Sequence, residues 1–156
     1  MITFDIPGRD QSRLIHIVLD YNGTVAEDGI IFEIVKHKLI LLQKSLKIHV
    51  ITADTFGTVK DEMADLPVEV ITIPKYNQDR AKKKFVEELG PENVVSIGNG
   101  RNDGLMLQTS ALGILVVNSE GASVQSLLKA DVMCLSISDA LDLLLKPKRL
   151  IATLRN

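Results

Sequence analysis

The chain of 156 residues contains no tryptophan, and its aromatic content is only 4%. Base-stacking platforms are built from aromatic rings, so a single-strand nucleic-acid surface is not expected. An excess of basic charge is also lacking. Eighteen Lys and Arg face 20 Asp and Glu, for a net charge of −2, which leaves no electrostatic footprint for a polyanion. There is one cysteine, Cys134, so no intrachain disulfide can form, and a reducing compartment fits. Cys134 sits in the apolar run 132–135 with no basic neighbour to lower its pKa, and reads as a buried, inert thiol. No apolar run approaches the ~18 residues of a membrane span. Residues 1–13 mix charge and polarity and lack the apolar centre of a secretory signal. These absences lead to the expectation of a cytoplasmic protein with neither nucleic acid nor membrane as partner.

What remains is ordinary globular material: 46% hydrophobic and 24% charged residues, enough for one domain over 1–156 with a real core. Short β-branched runs at 14–19, 48–52, 68–73, 94–97, 113–117 and 132–135 read as buried strands. Helical periods lie between them. Ile31, Ile34, Val35, Leu39, Leu42 and Leu46 form one stripe, and Val59, Met63 and Leu66 a second. Ala81, Phe85, Val86 and Leu89 form a third, stopped by Gly90-Pro91, and Val124, Leu127 and Leu128 a fourth. The tail, 140–145 and 150–154, reads as two short helices parted by Pro147. Repeated strand–helix units specify an α/β, doubly wound, mainly parallel sheet with helices on both faces.

Ligands of such sheets bind beyond the carboxyl ends of the strands. The first strand is followed by Asp20-Tyr-Asn-Gly-Thr24, the second by Thr52-Ala-Asp54, and the fourth by Gly98-Asn-Gly-Arg-Asn-Asp103. Each alone is compatible with turn chemistry. Together they deliver carboxylates, amides, hydroxyls and glycines to one edge, a set suited to phosphate and Mg²⁺, which prefers hard oxygen ligands. Gly23 and Gly100 allow backbone N–H groups to approach a phosphate.

These segments resemble, in order and position, the motifs of the haloacid dehalogenase (HAD) superfamily: D-x-D-x-T, a lone Ser or Thr, and G-D-G-x-N-D. The first two also resemble the D-K-T-G-T and T-G-D of the phosphorylation domain of P-type ATPases. The resemblance implies a HAD-like Rossmannoid fold with strand order 3-2-1-4-5 and a sixth strand at the edge. It implies a Mg²⁺-dependent phosphohydrolase or phosphotransferase acting on a phosphorylated substrate through an aspartyl-phosphate on Asp20. Asn22, Thr52 and Lys82 would complete the catalytic set. Gly23, Thr24, Ala53 and Arg80 would contact substrate. Asp20, Asn22, Asn99 and Asp103 would hold the metal. The family also places a lysine against the phosphate. The spacing of P-type ATPases counts back to Arg80, whereas the helical phase of Phe85, Val86 and Leu89 favours Lys82.

Two positions depart from the family pattern. Asn22 replaces the aspartate that protonates the leaving group and then activates water, so slow hydrolysis of the intermediate is expected. Asn99 replaces a metal-binding aspartate, which removes one negative charge. Asp54 is either a further carboxylate near the site or a cap for the helix that begins near Gly57.

Neither insertion point used for cap domains holds one. Between Asp20 and Thr52 there is room for a flap, 25–31, pivoting at Gly29, and one helix. Uncapped relatives act on large substrates or use a neighbouring subunit as a lid, so a homo-oligomer is expected. The P-type nucleotide-binding insertion is absent too, and ATPase activity is not expected. The alternative reading is a catalytically weakened phosphate- or partner-binding protein, which metal-dependent turnover would separate from the first. A signalling receiver domain fails because strand three ends in Ile73-Pro-Lys75 without a carboxylate. A dinucleotide fold fails because the 98–103 segment lacks the third glycine of its fingerprint. His16, His37 and His49 match no zinc spacing.

Overall fold

The β-branched runs and amphipathic segments fold, in the computed structural model, around a six-stranded parallel sheet. Residues 1–8, 11–54 and 57–155 are described. The strands are β1 Ile2–Phe4, β2 Ser12–Leu14, β3 His16–Asp20, β4 Ala26–Glu27, β5 Ile30–Ile31, β6 Lys47–Thr52, β7 Glu69–Thr72, β8 Val94–Gly98, β9 Leu112–Val116 and β10 Val132–Cys134. The helices are α1 Glu33–Leu42, α2 Thr58–Glu62, α3 Gln78–Leu89, α4 Gly104–Thr109, α5 Val124–Leu127, α6 Ile137–Leu145 and α7 Pro147–Leu154. The sheet order is β10-β9-β8-β3-β6-β7, with every pairing parallel. This is the expected 3-2-1-4-5 order with the sixth strand at the edge. Among the described residues no cap domain lies over the sheet.

Alternation along β3 divides the core, because successive side chains of a strand point to opposite faces. Ile17 and Leu19 join Val35 and Leu39 of α1 and Leu141 of α6 in the larger cluster. Val18 turns the other way, toward Ile51, Val86 of α3 and Met106 of α4. Buried on both faces, β3 reads as a continuous apolar run, as a central parallel strand must. It pairs with β6 as Asp20↔Ile51 and with β8 as Leu19↔Ile97. Parallel pairing therefore brings the carboxyl ends of β3, β6 and β8, and with them Asp20, Thr52 and Gly98, to one edge.

The structure departs from the sequence-based expectations at four places. The run 14–19 is broken at Ile15, whose N–H donates to Asn93 O (2.8 Å) and whose carbonyl accepts from Lys47 N (2.9 Å). Leu14 instead closes an antiparallel hairpin, β1 with β2, which the polar mixture before it concealed. On α1, Ile34 is 49% exposed and Lys38 is buried. Lys38 tolerates this because its ammonium donates to Ser138 O and Oγ, both at 2.8 Å, and to Asp142 at 2.6 Å. The fourth stripe is not a core face: Val124 and Leu128 are 71% and 83% exposed. The turn is held by the buried Ser126, whose hydroxyl donates to Gly100 O at 2.7 Å. Leu135, expected inside the last strand, lies beyond β10 and is exposed. The tail forms α6 and α7, meeting at Pro147 as expected.

Candidate active site

The loop after β3 winds around one carbonyl. Tyr21 O accepts from the N–H groups of Thr24, Val25 and Ala26 at 3.3, 3.0 and 3.1 Å. This tight path needs a positive φ at residue 23, and Gly23 supplies it at +75°. Crowding reinforces the choice. A Cβ on Gly23 would sit 2.6 Å from Asn99 Nδ2, 2.9 Å from Asn99 Oδ1 and 2.7 Å from Glu120 Oε2. Val25 through Ile31 form the flap, a hairpin of β4 and β5. It is tied back by Tyr21 Oη, which donates to Gly29 O at 2.8 Å.

Asp20, at the end of β3, is the centre of a buried ionic cluster. Lys82 Nζ donates to Asp20 Oδ1 at 2.5 Å and to Asp103 Oδ1 at 2.6 Å. Asp103 Oδ2 accepts from Asn99 N at 3.0 Å and Gly100 N at 2.8 Å. The approach needs Gly98, where a Cβ would lie 2.5 Å from the Asp103 carboxyl carbon. Burial, and after it the Asp103 charge, push the Asp20 carboxyl up to about 7, with Lys82 pulling in the opposite direction. Burial alone would lower the Lys82 pKa, but Asp20 and Asp103 hold it above the usual value. Lys82 therefore stays charged, and its neutralising charge permits two carboxylates to share the site.

Asp20 opens onto a cleft of about 700 Å³ that is also lined by Tyr21, Asn22, Thr52, Ala53, Asp54, Lys75, Asn99, Gly100 and Glu120. Thr52 Oγ1 accepts from Asp54 N at 3.1 Å, which leaves its own proton to donate into the cleft. A second cleft of about 650 Å³ adjoins the first and shares Lys75, Gln78 and Asn102 with it. Its other walls include Arg101 and Lys129. Between the two, Asn102 Nδ2 donates to Gln78 Oε1 at 2.8 Å.

The structure thus gathers Asp20, Asn22, Thr52, Ala53 and Asn99 at one cleft, with Thr24 buried beneath. Gly23 does not line the cleft itself but lies against Asn99 and Glu120, which do. Of the two candidate cations, Lys82 reaches Asp20, whereas Arg80 lies exposed on α3 and lines neither cleft. Asp103, expected among metal ligands, is fully buried and turned toward Lys82 and the loop backbone instead. Asp54 does both things considered for it. It lines the cleft, and its Oδ2 accepts from Thr58 Oγ1 (2.7 Å) and Val59 N (3.0 Å) at the start of α2. Cys134 is buried, and burial pushes its thiol up to about 11, far from nucleophilic use.

Oxygen donors for a divalent cation are present. Asp20 Oδ2 and Asn99 Oδ1 lie 3.4 and 3.3 Å from the same Thr24 hydroxyl, so they converge on one region of the cleft. An all-oxygen set of this kind fits a hard cation such as Mg²⁺. Among the described residues no three His, Cys, Asp or Glu side chains group as a metal site by themselves, so a cation here would also need amide or backbone oxygens.

Glu120 and Asn118 are the site residues that the sequence reading passed over. They follow the fifth strand at the same sheet edge, in Asn118-Ser119-Glu120-Gly121, a cluster of turn-forming residues like the others. Their signal in the sequence is the same as that at the ends of the first, second and fourth strands.

No protein-family model matches the chain. It is 46% identical over 87 residues to the uncharacterized protein MJ0073 of Methanocaldococcus jannaschii, a match covering 53% of this chain and 94% of that one. It is 49% identical over 39 residues to the uncharacterized protein MJ0072 of the same organism, covering 25% of this chain and 89% of that protein. Among solved structures it superimposes on a Legionella pneumophila protein described as a HAD superfamily (subfamily III A) hydrolase, with TM-score 0.71, 18% identity and coverage of 90% and 87%. The 3-deoxy-D-manno-octulosonate 8-phosphate phosphatase of Moraxella catarrhalis, solved with magnesium, phosphate and KDO, gives TM-score 0.71 at 16% identity, covering 91% and 94%. The cobalt-bound phosphatase YrbI of Haemophilus influenzae gives 0.72 at 12% identity, covering 88% and 90%. The chain belongs to one family with MJ0073, and its fold is that of the HAD superfamily.

Proposed function

We propose that this HAD-fold chain is a divalent-metal-dependent phosphatase or phosphotransferase whose nucleophile is Asp20. The carrying observation is the buried Lys82 that bridges Asp20 and Asp103 while Asp20 faces an open cleft beside the Thr52 hydroxyl. Solved relatives of the same fold that hold magnesium and phosphate, or cobalt, support the reading.

In this reading an Asp20 carboxylate oxygen attacks phosphorus. A bond forms from Asp20 to phosphorus as the bond from phosphorus to the leaving oxygen breaks, and the leaving oxygen carries away the electron pair. The Lys82 ammonium and the Thr52 hydroxyl hold the phosphoryl oxygens and oppose their growing charge. Asp20, Asn99 and neighbouring backbone carbonyls would hold a divalent cation, which would supply further positive charge near the phosphoryl oxygens. Water then attacks the aspartyl-phosphate and restores Asp20 with release of phosphate.

Asn22 shapes the substrate range. An amide cannot hand a proton to a leaving oxygen and later withdraw one from water. Leaving groups that need no proton, such as the carboxylate of an acyl phosphate, are favoured over alkoxides, and the phosphoenzyme is long-lived. The likeness to P-type phosphorylation domains rests on Asp20–Thr24 and Thr52–Asp54 and belongs to this same reading. A second copy of the chain acting as lid over the uncapped cleft completes it, and sedimentation velocity with and without substrate tests that part.

The test is intact-mass measurement after incubation with Mg²⁺ and acetyl phosphate, beside an Asp20→Asn control. An added phosphoryl mass on the wild type alone is expected. Asp20-dependent phosphate release without an adduct would mean a competent phosphatase with a short-lived intermediate. Neither adduct nor release would turn the reading into its alternative, a phosphate- or partner-binding protein.

A further inference from the structure

We infer that Glu120, on the loop after β9, supplies to the divalent cation the carboxylate that position 99 does not. The inference rests on the metal-dependent reading above and names a ligand of that site. Asn99 offers only a neutral oxygen, so the converging pair Asp20 and Asn99 carries a single carboxylate. Glu120 Oε2 and Asn99 Oδ1 lie 2.7 and 2.9 Å from one point above Gly23, the place a Cβ would fill. Glu120 Oε2 thus lies on the same side of Gly23 as the Asn99 amide, whose Nδ2 and Oδ1 are 2.6 and 2.9 Å from that point. Asn99 Oδ1 in turn shares the Thr24 hydroxyl with Asp20.

The backbone under Glu120 is fixed on both sides. Asn118 Nδ2 donates to Gly23 O at 2.9 Å and to Thr24 O at 2.8 Å. Ser119 Oγ donates to Glu27 of the flap. On the other side Gly121 O accepts from Asn99 Nδ2 at 3.1 Å, which turns Asn99 Oδ1 toward Asp20. A long side chain on such a braced loop loses less freedom on ligation than one on an unbraced loop.

Charge points the same way. Among the described residues Glu120 has neither hydrogen-bond nor ion-pair partner, although it lines the cleft that holds Asp20 and Asp54. Glu120 is exposed at the edge of this cleft, so its carboxylate is free to turn toward a cation held by Asp20 and Asn99. A set drawn from Asp20, Asn99 and Glu120, together with water, restores two carboxylates and keeps the oxygen chemistry that Mg²⁺ requires.

Mg²⁺ titration of the 156-residue chain by calorimetry tests this, with circular dichroism to confirm that each variant is folded. Glu120→Gln is expected to weaken Mg²⁺ binding by about tenfold or more, because ligand charge sets the affinity of such sites. Adding Asn99→Asp to Glu120→Gln is expected to recover it, since the charge then returns through position 99. Wild-type affinity in Glu120→Gln overturns the inference, as does failure of the double variant to recover. If Asp20→Asn weakens Mg²⁺ binding and Glu120→Gln does not, the inference falls and the metal-dependent reading stands. If Glu120→Gln weakens Mg²⁺ binding while acetyl phosphate leaves no Asp20-dependent adduct or phosphate, the site stands and the catalytic reading falls. No Mg²⁺ binding by the wild type overturns both.

Discussion

The Lys82 ammonium stands 2.5 Å from Asp20 Oδ1, and both side chains are buried at the carboxyl end of the central strand. In the resting chain the proposed nucleophile is thus already paired with the cation that would meet an incoming phosphate. Replacing Lys82 with Met leaves Asp20 and the fully buried Asp103 without that counter-charge. A loss of about 3–5 kcal/mol in urea unfolding is expected, the usual consequence of removing one partner of a buried pair. The phospho-adduct should vanish as well. Adduct formation at the wild-type rate in Lys82→Met would remove Lys82 from the mechanism.

Restoring a carboxyl at position 22 should supply the missing proton carrier. Asn22 lines the cleft beside Asp20 and is exposed to solvent. Asn22→Asp is expected to raise phosphate release from acetyl phosphate by roughly 10²-fold or more, the ordinary range for general acid–base help. The phospho-adduct should shorten in lifetime in proportion, read by mass after a chase. Unchanged release would mean that breakdown of the intermediate is limited elsewhere.

Two glycines of the Asp20 loop and flap separate backbone strain from crowding. Gly29 has φ +80° with nothing within 4 Å of the place a Cβ would take, whereas Gly23 has φ +75° and three polar atoms under 3.0 Å from that place. Gly29→Ala should cost only the left-handed backbone penalty, about 1–2 kcal/mol. Gly23→Ala should cost more, and alone of the two should weaken Mg²⁺ binding, because Asn99 and Glu120 must move. Chemical unfolding and metal titration of both variants check the contrast, and equal effects would contradict it.

A histidine pair at the other end of the sheet should make stability fall in acid. His16 Nδ1 lies 3.0 Å from His49 Nε2, and His49 Nδ1 lies 2.9 Å from Glu69 Oε2. Burial, followed for His16 by the His49 charge, lowers the pKa of both rings from 6.5; for His49 the pull of Glu69 opposes burial without overcoming it. The unfolded chain then binds protons first as pH falls below 6.5, so this contribution to stability is complete above that value and is lost toward the lower folded pKa. His16→Gln should flatten that part of the curve. Unfolding free energies of both proteins across pH 7 to 5 measure the difference, and parallel curves would assign the dependence to other groups.

Much of this arrangement was legible because it is written in short-range pattern. The apolar runs mark each strand of the parallel sheet, and the resemblance to the HAD superfamily implies its order. Asp20, Thr52 and Asn99 were legible because strand ends in a parallel sheet share an edge. Lys82 was legible because the resembled family places a lysine there and the helical phase of Phe85, Val86 and Leu89 favours position 82; Val86 shares its buried face. What escaped depended on partners distant in sequence. Lys38 is buried only because Ser138 and Asp142 meet it from α6. Val124 and Leu128 face outward because Ser126 is bonded to Gly100. Asp103 read as a cleft ligand until two loop N–H groups and Lys82 were seen to occupy its oxygens. Glu120 sits among turn-forming residues at the end of the fifth strand, and it is the approach of its side chain to Gly23 that ties it to the site.

The Asn118 amide, bonded to the carbonyls of Gly23 and Thr24 and accepting from Ile137 N at 3.3 Å, makes the turns after β3 and β9 a single cassette. Neither can be grafted into another scaffold alone. A transplanted 20–24 segment would arrive without the brace that sets its curvature, and a transplanted 118–121 segment would arrive without the two carbonyls it grips. Exchange between related chains therefore has to carry both turns together, and a designer who wishes to reshape this edge of the cleft has two addresses to edit, 95 residues apart, that must be edited as one.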